Sequence, residues 1–390
     1  MTGHKLKLPV YLDYQATTPV DERVLAAMLP WFSERYGNPH SAAHALGWEA
    51  AGAVTGAADR VAALIGAEGR DIVFTSGATE SNNLALKGVM RACRGRRDHL
   101  ITVASEHKCV IESARALAGE GFRVDFLTVD GAGLIDPDQL AATLDDDTAL
   151  VSVMAVNNET GVIQPLARIG ALCRDRGVFF HCDAAQAAGK IMLDVEALNI
   201  DLMSLSAHKI YGPKGVGALF LRRRRPRVPI EPLFSGGGQQ GGVRPGTMAP
   251  ALCVGMGEAA ALAGTEMADE VARIGALGHR LWDGIHAGLR TARLNGDATA
   301  RFWGNVNIAF PGVDAGRLMA ELGDLAVSSG AACASAVSGP SYVLEAMGVS
   351  RADASASIRF GVGRFTTRAE IDFAIGRIVD TVGKLSSAAA

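Results

Sequence analysis

The chain has 390 residues, of which 48% are hydrophobic and 20% are charged. This composition excludes a disordered chain and supplies enough apolar side chains for a sizeable core. The formal net charge of −3 excludes a strongly basic surface, so neither nucleic acid nor a membrane is an expected partner. No apolar stretch approaches the ~20 residues of a membrane-spanning helix.

Seven short apolar segments lie within about residues 20–255, and helical stretches separate most of the first five. Such runs are typical of strands that are covered on both faces. We therefore predict an α/β fold with a mostly parallel seven-stranded sheet. Only nine residues separate Ser206 from Val216, too few for a parallel crossover, so an antiparallel hairpin is expected there. The predicted strands are residues 71–76, 99–103, 123–127, 150–156, 178–183, 201–206 and 216–221.

After about residue 260 the pattern changes to a long amphipathic helix over 266–292, strands at 305–310 and 358–360, and a closing helix over 368–385. We interpret this part as a smaller α+β domain. The expected division is a large domain of residues 16–258 and a small domain of residues 1–15 with 259–390. The arginines at 222–225 and 227 are expected to be solvated.

Six cysteines are scattered without a C-x-x-C pair, which predicts neither a disulfide framework nor a zinc site, and no metal ligands are expected. The N-terminal segment meets Asp13 after a few apolar residues and does not resemble a secretory signal. A reducing cytoplasm is therefore the expected location, and a functional cysteine would act alone as a thiolate.

Polar residues follow the predicted strands at the edge where parallel sheets bind ligands. A glycine turn at 77–83 leads into a helix and offers an anion site, although an ordinary helix cap is an equal alternative. His107 could stack on a ligand or be a structural hydrogen-bonder, and Asn158 could contact a ligand or form an Asx turn. Asp183 could pair with a cationic ring nitrogen or cap a helix, and Lys209 could form a Schiff base or be solvent-exposed.

Taken together, these residues match the needs of pyridoxal phosphate. The cofactor requires an anion site for its phosphate, a carboxylate that keeps its ring nitrogen protonated, and a lysine that binds its aldehyde. The chain carries these groups at separate strand ends in that order.

The sequence closely resembles the cysteine desulfurases, which belong to the class V aminotransferase group of pyridoxal-phosphate enzymes with fold type I. The resemblance covers nearly the whole chain, and the combination of motifs is specific. The matching stretches are residues 11–19, 36–39, 75–83, 105–107, 157–161, 181–186, 206–209, 244–247, 328–333, 340–344 and 357–360.

The resemblance implies a role for each matching residue. Lys209 would bind the cofactor aldehyde and later move the substrate α-proton, His107 would stack on the ring, and Cys333 would be the nucleophile. Arg359 and Asn158 would bind the substrate carboxylate, with help from Asn38. Thr247 would reach the phosphate of the neighbouring subunit, which implies a homodimer with shared sites. The implied cofactor-binding residues are Ala78, Thr79, His107, Asn158, Asp183, Gln186, Ser206, His208, Lys209 and Thr247.

The implied reaction converts L-cysteine to L-alanine and leaves the sulfur atom as a persulfide on Cys333, for transfer to an acceptor such as an iron–sulfur scaffold protein. Cys333 and Arg359 are separated by 25 residues, a spacing that resembles that of the cysteine desulfurases with a long cysteine loop. Two stretches, 236–242 and 338–339, depart from the family pattern. A selenocysteine lyase, another enzyme of the same fold, and a weakly active protein that docks sulfur acceptors are the alternatives.

Overall fold

The computed structural model describes residues 6–329 and 339–387. Within these ranges the helices are α1 (Glu22–Met28), α2 (Pro30–Ser33), α3 (Ala45–Ala63), α4 (Ala78–Cys93), α5 (Lys108–Gly119), α6 (Pro137–Thr143), α7 (Leu166–Asp175), α8 (Pro250–Gly288), α9 (Ala315–Glu321), α10 (Tyr342–Ala346), α11 (Arg351–Ser355) and α12 (Arg368–Ser387). The strands are β1 (Val10–Tyr11), β2 (Ile72–Thr75), β3 (His99–Val103), β4 (Arg123–Leu127), β5 (Thr148–Ser152), β6 (Phe179–Asp183), β7 (Leu202–Ser206), β8 (Gly217–Leu221), β9 (Arg293–Leu294), β10 (Asn305–Ala309), β11 (Leu325–Ala326) and β12 (Ser357–Gly361).

The main sheet has seven strands in the order β2-β8-β7-β6-β5-β3-β4. The pairs β3–β4, β3–β5, β5–β6 and β6–β7 are parallel, and β8 is antiparallel to both of its neighbours. The predicted mostly parallel sheet and the hairpin between residues 206 and 216 are therefore confirmed. Because β8 alone is reversed, the carboxyl ends of the other six strands lie at one edge of the sheet.

Helices cover both faces of this sheet, which is why its strands consist of apolar runs. Neighbouring strand residues belong to different cores: Leu100 and Leu202 pack with α4 and α5, whereas Ile101 and Met203 pack with α3, α7 and α8. All four side chains are fully buried. Burial of each such side chain stabilises the fold by about 1.5–3 kcal/mol, so the two apolar layers fix the sheet and its ligand-binding edge.

The C-terminal part contains an antiparallel sheet of order β12-β10-β9. The N-terminal strand β1 pairs with β11 rather than with the main sheet, and Asp13 bridges to Gly361 of β12. The N-terminal residues thus pack against the C-terminal part of the chain, and the residues that follow them lead to the main sheet. The predicted division after residue 258 falls within α8 and stays a prediction.

The predicted start of the long helix at residue 266 is wrong, because α8 begins at Pro250. Residues 250–265 lack an amphipathic pattern since they are rich in small residues that pack closely on other helices. A Cβ atom on Gly257 would lie 2.7 Å from the Ala57 Cα atom of α3. Among the described residues, no helix has the length and apolar character needed to cross a membrane.

The expectation of a fully solvated arginine cluster is wrong for its first member. Arg222 is only 3% exposed, because its guanidinium donates to Glu196 at 2.7 Å and to the Ile200 carbonyl at 2.8 Å. The arginines at 223–225 and 227 are exposed as expected. A buried arginine at the end of β8 therefore pins the loop before β7, because an unpaired charge there would be costly.

Candidate active site

A cavity of about 540 Å³ lies at the edge of the main sheet where the six strands end. This volume is in the range of small-molecule sites. The site residues lie at or just after the carboxyl ends of these strands, so their side chains reach the cavity. Ten predicted site residues line the cavity: Ala78, Thr79, His107, Asn158, Asp183, Gln186, Ser206, His208, Lys209 and Arg359.

The other three predicted residues do not line this cavity in the described structure. The Asn38 side chain accepts a hydrogen bond from the His40 backbone at 2.9 Å and caps a turn. Thr247 lines an adjacent pocket of about 140 Å³, which shares Ser76 and Gly215 with the main cavity. Cys333 lies outside the described residues, as does Ser338 of the divergent stretch 338–339.

The first turn of α4 offers a cradle for an anion. Gly77 has a φ of 151°, a conformation that side-chain-bearing residues rarely adopt, and it turns the chain from β2 into the helix. No side chain caps this helix. In the described structure, the backbone N–H groups of Ala78 and Thr79 have no acceptor. Free N–H groups and the helix dipole at a cavity wall favour a phosphate.

Glu80 lies in the same turn, and its negative charge is compensated. Its carboxylate accepts from the Ser76 backbone at 2.7 Å and from Arg244 Nε at 2.8 Å. Burial alone would raise the pKa of Glu80, but these hydrogen bonds outweigh it and lower the pKa. The ion pair therefore keeps the cradle electrostatically suited to an anion, and it ties the stretch before Thr247 to α4.

Asp183 is fixed by two hydrogen bonds at the end of β6. Its Oδ2 accepts from Asn82 Nδ2 at 2.6 Å, and its Oδ1 accepts from the Ala185 backbone at 2.9 Å. Asn82 is fully buried on the inner face of α4. Asn82 was not among the predicted site residues. It could have been found from the sequence, because it lies four residues before the buried Leu86 and therefore places an amide on the apolar face of α4.

His107 is the N-cap of α5, and this contact defines its tautomer. The ring Nδ1 accepts from the Cys109 backbone N–H at 3.2 Å and lies 3.0 Å from Cys109 Sγ. A neutral His107 therefore carries its proton on Nε2. Burial lowers the pKa of His107, opposed by the charge of Asp183. The ring is thus neutral at pH 7, flat and able to donate from Nε2.

Cys109 lines the cavity but is a poor nucleophile. Burial, together with the nearby Asp183 charge, raises the pKa of its thiol to about 12. Its Sγ also accepts from Asn82 Nδ2 at 3.1 Å. A protonated, hydrogen-bonded thiol fits a structural role for Cys109.

Residues 15–18 cross the cavity beside Lys209. The Lys209 ammonium group donates to the Gln15 carbonyl and, at 2.9 Å, to the Ala16 carbonyl. Gln186 Nε2 donates to the same Gln15 carbonyl at 2.9 Å. Thr17 Oγ1 lies 3.1 Å from His208 Nδ1. The sequence reasoning missed the contribution of this segment, because backbone carbonyls leave no trace in residue type.

His208 carries no charge at neutral pH. Burial, together with the positive charges of Lys209, Lys214 and Lys190, lowers the pKa of its ring to about 4. The group can donate a hydrogen bond to a phosphate but adds no charge to the site.

Arg359 is 1% exposed and reaches the cavity from β12. Its guanidinium donates to Asp13 Oδ1 at 2.8 Å and to the Asn158 carbonyl at 3.0 Å. Within the part of the chain that the structure describes, the Arg359 Nε and Asn158 Oδ1 atoms are buried without a hydrogen-bond partner. An unpaired N–H at a cavity wall is costly unless a ligand meets it, and a carboxylate is its best acceptor.

These residues fit pyridoxal phosphate. Free N–H groups and hydroxyls suit its phosphate, the anchored carboxylate of Asp183 suits its ring nitrogen, and the Lys209 amine suits its aldehyde. The fold and site thus define a pyridoxal-phosphate enzyme of fold type I, and the chain belongs to the family described as aminotransferase class-V, whose model it matches over residues 10–373.

Within that family the chain falls among the cysteine desulfurases, so the predicted family, fold class and cofactor are confirmed. "Cysteine desulfurase IscS" of Rickettsia massiliae is 51% identical over 98% of this chain and 93% of that protein. "Probable cysteine desulfurase, mitochondrial" of Schizosaccharomyces pombe is 56% identical over 93% of this chain and 72% of that protein.

Two solved structures share the fold. One named "NIFS-LIKE PROTEIN" has a TM-score of 0.89 and 35% identity, covering 96% of this chain and 100% of that chain. Another, titled "SspA in complex with cysteine", has a TM-score of 0.82 and 36% identity, covering 92% of this chain and 100% of that chain.

Proposed function

We propose that this chain converts L-cysteine to L-alanine and places the sulfur atom on Cys333. The observation that carries the proposal is one cavity lined by Lys209, Asp183, His107 and Arg359 together with the free N–H groups of α4. The relatives named cysteine desulfurase support the substrate.

The cofactor would be held by residues of four strand ends. Its phosphate would bind the N–H groups of Ala78 and Thr79, with the Thr79 and Ser206 hydroxyls and His208. Asp183 would pair with the ring nitrogen, Gln186 with the ring oxygen, and His107 would lie against the ring. When bound, the cofactor withdraws electrons from the carbon that loses a proton.

Substrate would enter with its carboxylate towards Arg359. The unpaired Arg359 Nε and the nearby Asn158 amide provide matching polar groups. Asp13 keeps the guanidinium in place through its 2.8 Å contact. Asn38 lies outside this cavity, so we propose that it assists only where subunits meet.

Lys209 in its neutral form would accept the α-proton of the substrate, since its amine lies in the cavity, beside the Gln15 and Ala16 carbonyls. The Cys333 thiolate would then attack the substrate sulfur, forming a sulfur–sulfur bond as the carbon–sulfur bond breaks. Two protons complete alanine: the α-proton held by Lys209 returns to the carbon skeleton, and the proton released by the substrate thiol goes to the carbon that has lost sulfur. The step needs no external oxidant or reductant; a reductant is needed only to release sulfide from the persulfide.

We further propose a homodimer in which Thr247 serves the neighbouring site. Six large apolar side chains between residues 25 and 48 are exposed: Leu25, Leu29, Phe32, Tyr36, Leu46 and Trp48. Exposed apolar side chains concentrated in one stretch indicate a contact surface. Thr247 lies beside the main cavity but outside it, which supports a role in the partner's site.

The acceptor of the sulfur is proposed to be a protein such as an iron–sulfur scaffold, supported by the relatives that carry the name IscS. A cytoplasmic location is proposed from the five described cysteines, which are all free thiols. A reducing compartment keeps thiols in this state.

The test measures alanine and sulfide formed from L-cysteine with a reductant, for the wild-type protein and for Cys333→Ala. Both proteins should bind the cofactor and be yellow. The wild type is expected to give both products in equal amounts and the variant neither. A variant with undiminished products would contradict the role of Cys333, and a colourless wild type would contradict the cofactor.

A further inference from the structure

A second lysine, Lys190, lies behind the proposed ring-oxygen ligand. Its Nζ donates to Gln186 Oε1 at 3.1 Å. The same glutamine donates from Nε2 to the Gln15 carbonyl, which also accepts from Lys209. Lys190, Gln186, the Gln15 carbonyl and Lys209 thus form one connected network, although neither the motifs nor the reaction assigns a role to Lys190.

The two contacts of Gln186 determine how its amide is oriented. A carbonyl can only accept and an ammonium group can only donate, so Nε2 must face Gln15 and Oε1 must face Lys190. Gln186 lines the main cavity. The amide group on the side of Gln15 and the cavity is therefore the NH₂ end, whose second N–H suits an anionic oxygen such as that of the cofactor ring.

The surroundings of Lys190 hold its ammonium group in place. A small cavity of about 20 Å³ is lined by Lys190, Lys209, Phe302 and Glu270 and has room for about one water. The Nζ atom lies 5.7 Å from the Phe302 ring centroid, a favourable position for a cation.

Charged groups face Lys190 from several elements. Lys209 lies at the end of β7 beside the neutral His208 ring, and Arg364 lines the same small cavity with Glu270 of α8, to which Arg364 donates at 2.9 Å. Burial, together with the charge of Lys209, lowers the pKa of Lys190 to about 7, although Glu270 opposes this shift. The group therefore changes its charge near neutral pH, next to the lysine that binds the cofactor.

We propose that Lys190 is a positioning residue of the cofactor site, which orients the Gln186 amide towards the ring oxygen and places a second positive charge beside Lys209. The proposal rests on the proposed cofactor role of Lys209. A positive neighbour disfavours a proton on the nitrogen that joins Lys209 to the cofactor, and a donor to the ring oxygen acts in the same direction.

The experiment follows the visible absorption band of the holoenzyme as a function of pH, because the band reports the protonation of that nitrogen. Lys190→Met keeps the length of the side chain but removes its charge and its donors. We expect the midpoint of the titration to rise by about one pH unit. Lys190→Arg keeps a donor-only cation, and its midpoint should stay closer to that of the wild type.

Lys384→Met, an exposed lysine of α12, is the matched control and should titrate like the wild type. Thermal unfolding of each variant verifies the fold, and Lys190→Gln replaces Lys190→Met if the latter does not fold. An unmoved midpoint in the uncharged variant, or an equal shift in Lys190→Arg, overturns the inference. A wild type without a visible band overturns the proposed cofactor role instead, and this inference with it.

Discussion

The side chains of the cavity and those of the surface stretch between residues 25 and 48 differ in their burial and in their contacts. In the cavity, Asp183 and Arg359 are buried and each holds two polar contacts. On the surface stretch, Phe32, Tyr36 and Trp48 are 60%, 69% and 61% exposed. The first region is built by its own subunit, whereas the second leaves large apolar side chains in water.

The difference indicates which parts of the site this chain supplies alone. The carboxylate, lysine and guanidinium needed for chemistry are already held in one cavity. Asn38 and Thr247, to which the resemblance also gives roles in binding, lie outside this cavity, and Asn38 lies within the exposed apolar stretch. We therefore expect cavity substitutions to affect chemistry and surface substitutions to affect assembly.

The largest expected effect comes from Lys209→Met. Removing the amine leaves no group to bind the cofactor aldehyde or move the α-proton, so activity should fall by about 10³-fold or more. The yellow band of the purified protein should shift or disappear. Alanine formation and the absorption spectrum measure both results, with exposed Lys384→Met as control; appreciable turnover by Lys209→Met would refute the assignment.

Phe32→Glu combined with Trp48→Glu tests the other side of the comparison. Two charges on an apolar contact surface should weaken the dimer by ~100-fold or more. Light scattering should then show monomers at micromolar concentration, and cofactor retention should fall if Thr247 acts across the interface as proposed. Phe126→Glu, at the exposed edge of β4, should leave the mass unchanged. A double variant that stays dimeric would show that this surface is not the interface.

Arg359→Lys should separate substrate binding from chemistry. Lysine keeps the charge but loses the planar pair of donors that suits a carboxylate. We expect KM for L-cysteine to rise by about 10- to 100-fold while kcat changes by less than about threefold. Steady-state kinetics measure both, and exposed Arg368→Lys is the control. A fall in kcat with constant KM would contradict carboxylate binding by Arg359.

Glu159→Gln should have the smallest effect, on stability alone. Burial raises the pKa of Glu159 to about 7, although the Ser341 hydroxyl donates to it. The native state therefore binds more protons than the unfolded state between about pH 4.5 and 7, and the stability of the wild type falls as the pH rises through this window.

The glutamine variant lacks this titration. At pH 5 the two proteins should unfold at similar temperatures, and by pH 8 the variant should be more stable by about 3 kcal/mol, or roughly 3 °C. Thermal unfolding across pH gives the difference curve. A constant difference across this range would mean that Glu159 is charged throughout.

The strand ends of the main sheet were predictable because each is an apolar run with a polar or glycine residue at its end or within a few positions after it. That rule located Asp183 and Lys209 without any contact information. It failed where burial is not periodic: residues 250–265 of α8 are packed on several sides, so no amphipathic face marks them. Arg222 was misjudged because its partners, Glu196 and the Ile200 carbonyl, come from a loop distant in sequence.

Contacts that depend on backbone atoms were equally invisible. The Gln15 carbonyl joins Lys209 to Gln186 through an atom that every residue type carries. Asn82 could have been found as an amide on an apolar helix face, but its partner Asp183 lies 101 residues away. Both sets of contacts depend on the tertiary structure and leave no local pattern in the sequence.

The most direct test of the account is the mass of the protein after reaction with L-cysteine in the absence of reductant. We expect the wild type to gain the mass of one sulfur atom at Cys333, removable by reductant, and Lys209→Met to gain none. Sulfur on Cys333 in the Lys209 variant, or a wild type that forms alanine with no sulfur on Cys333, would contradict the claim that the cavity and this cysteine act in one reaction.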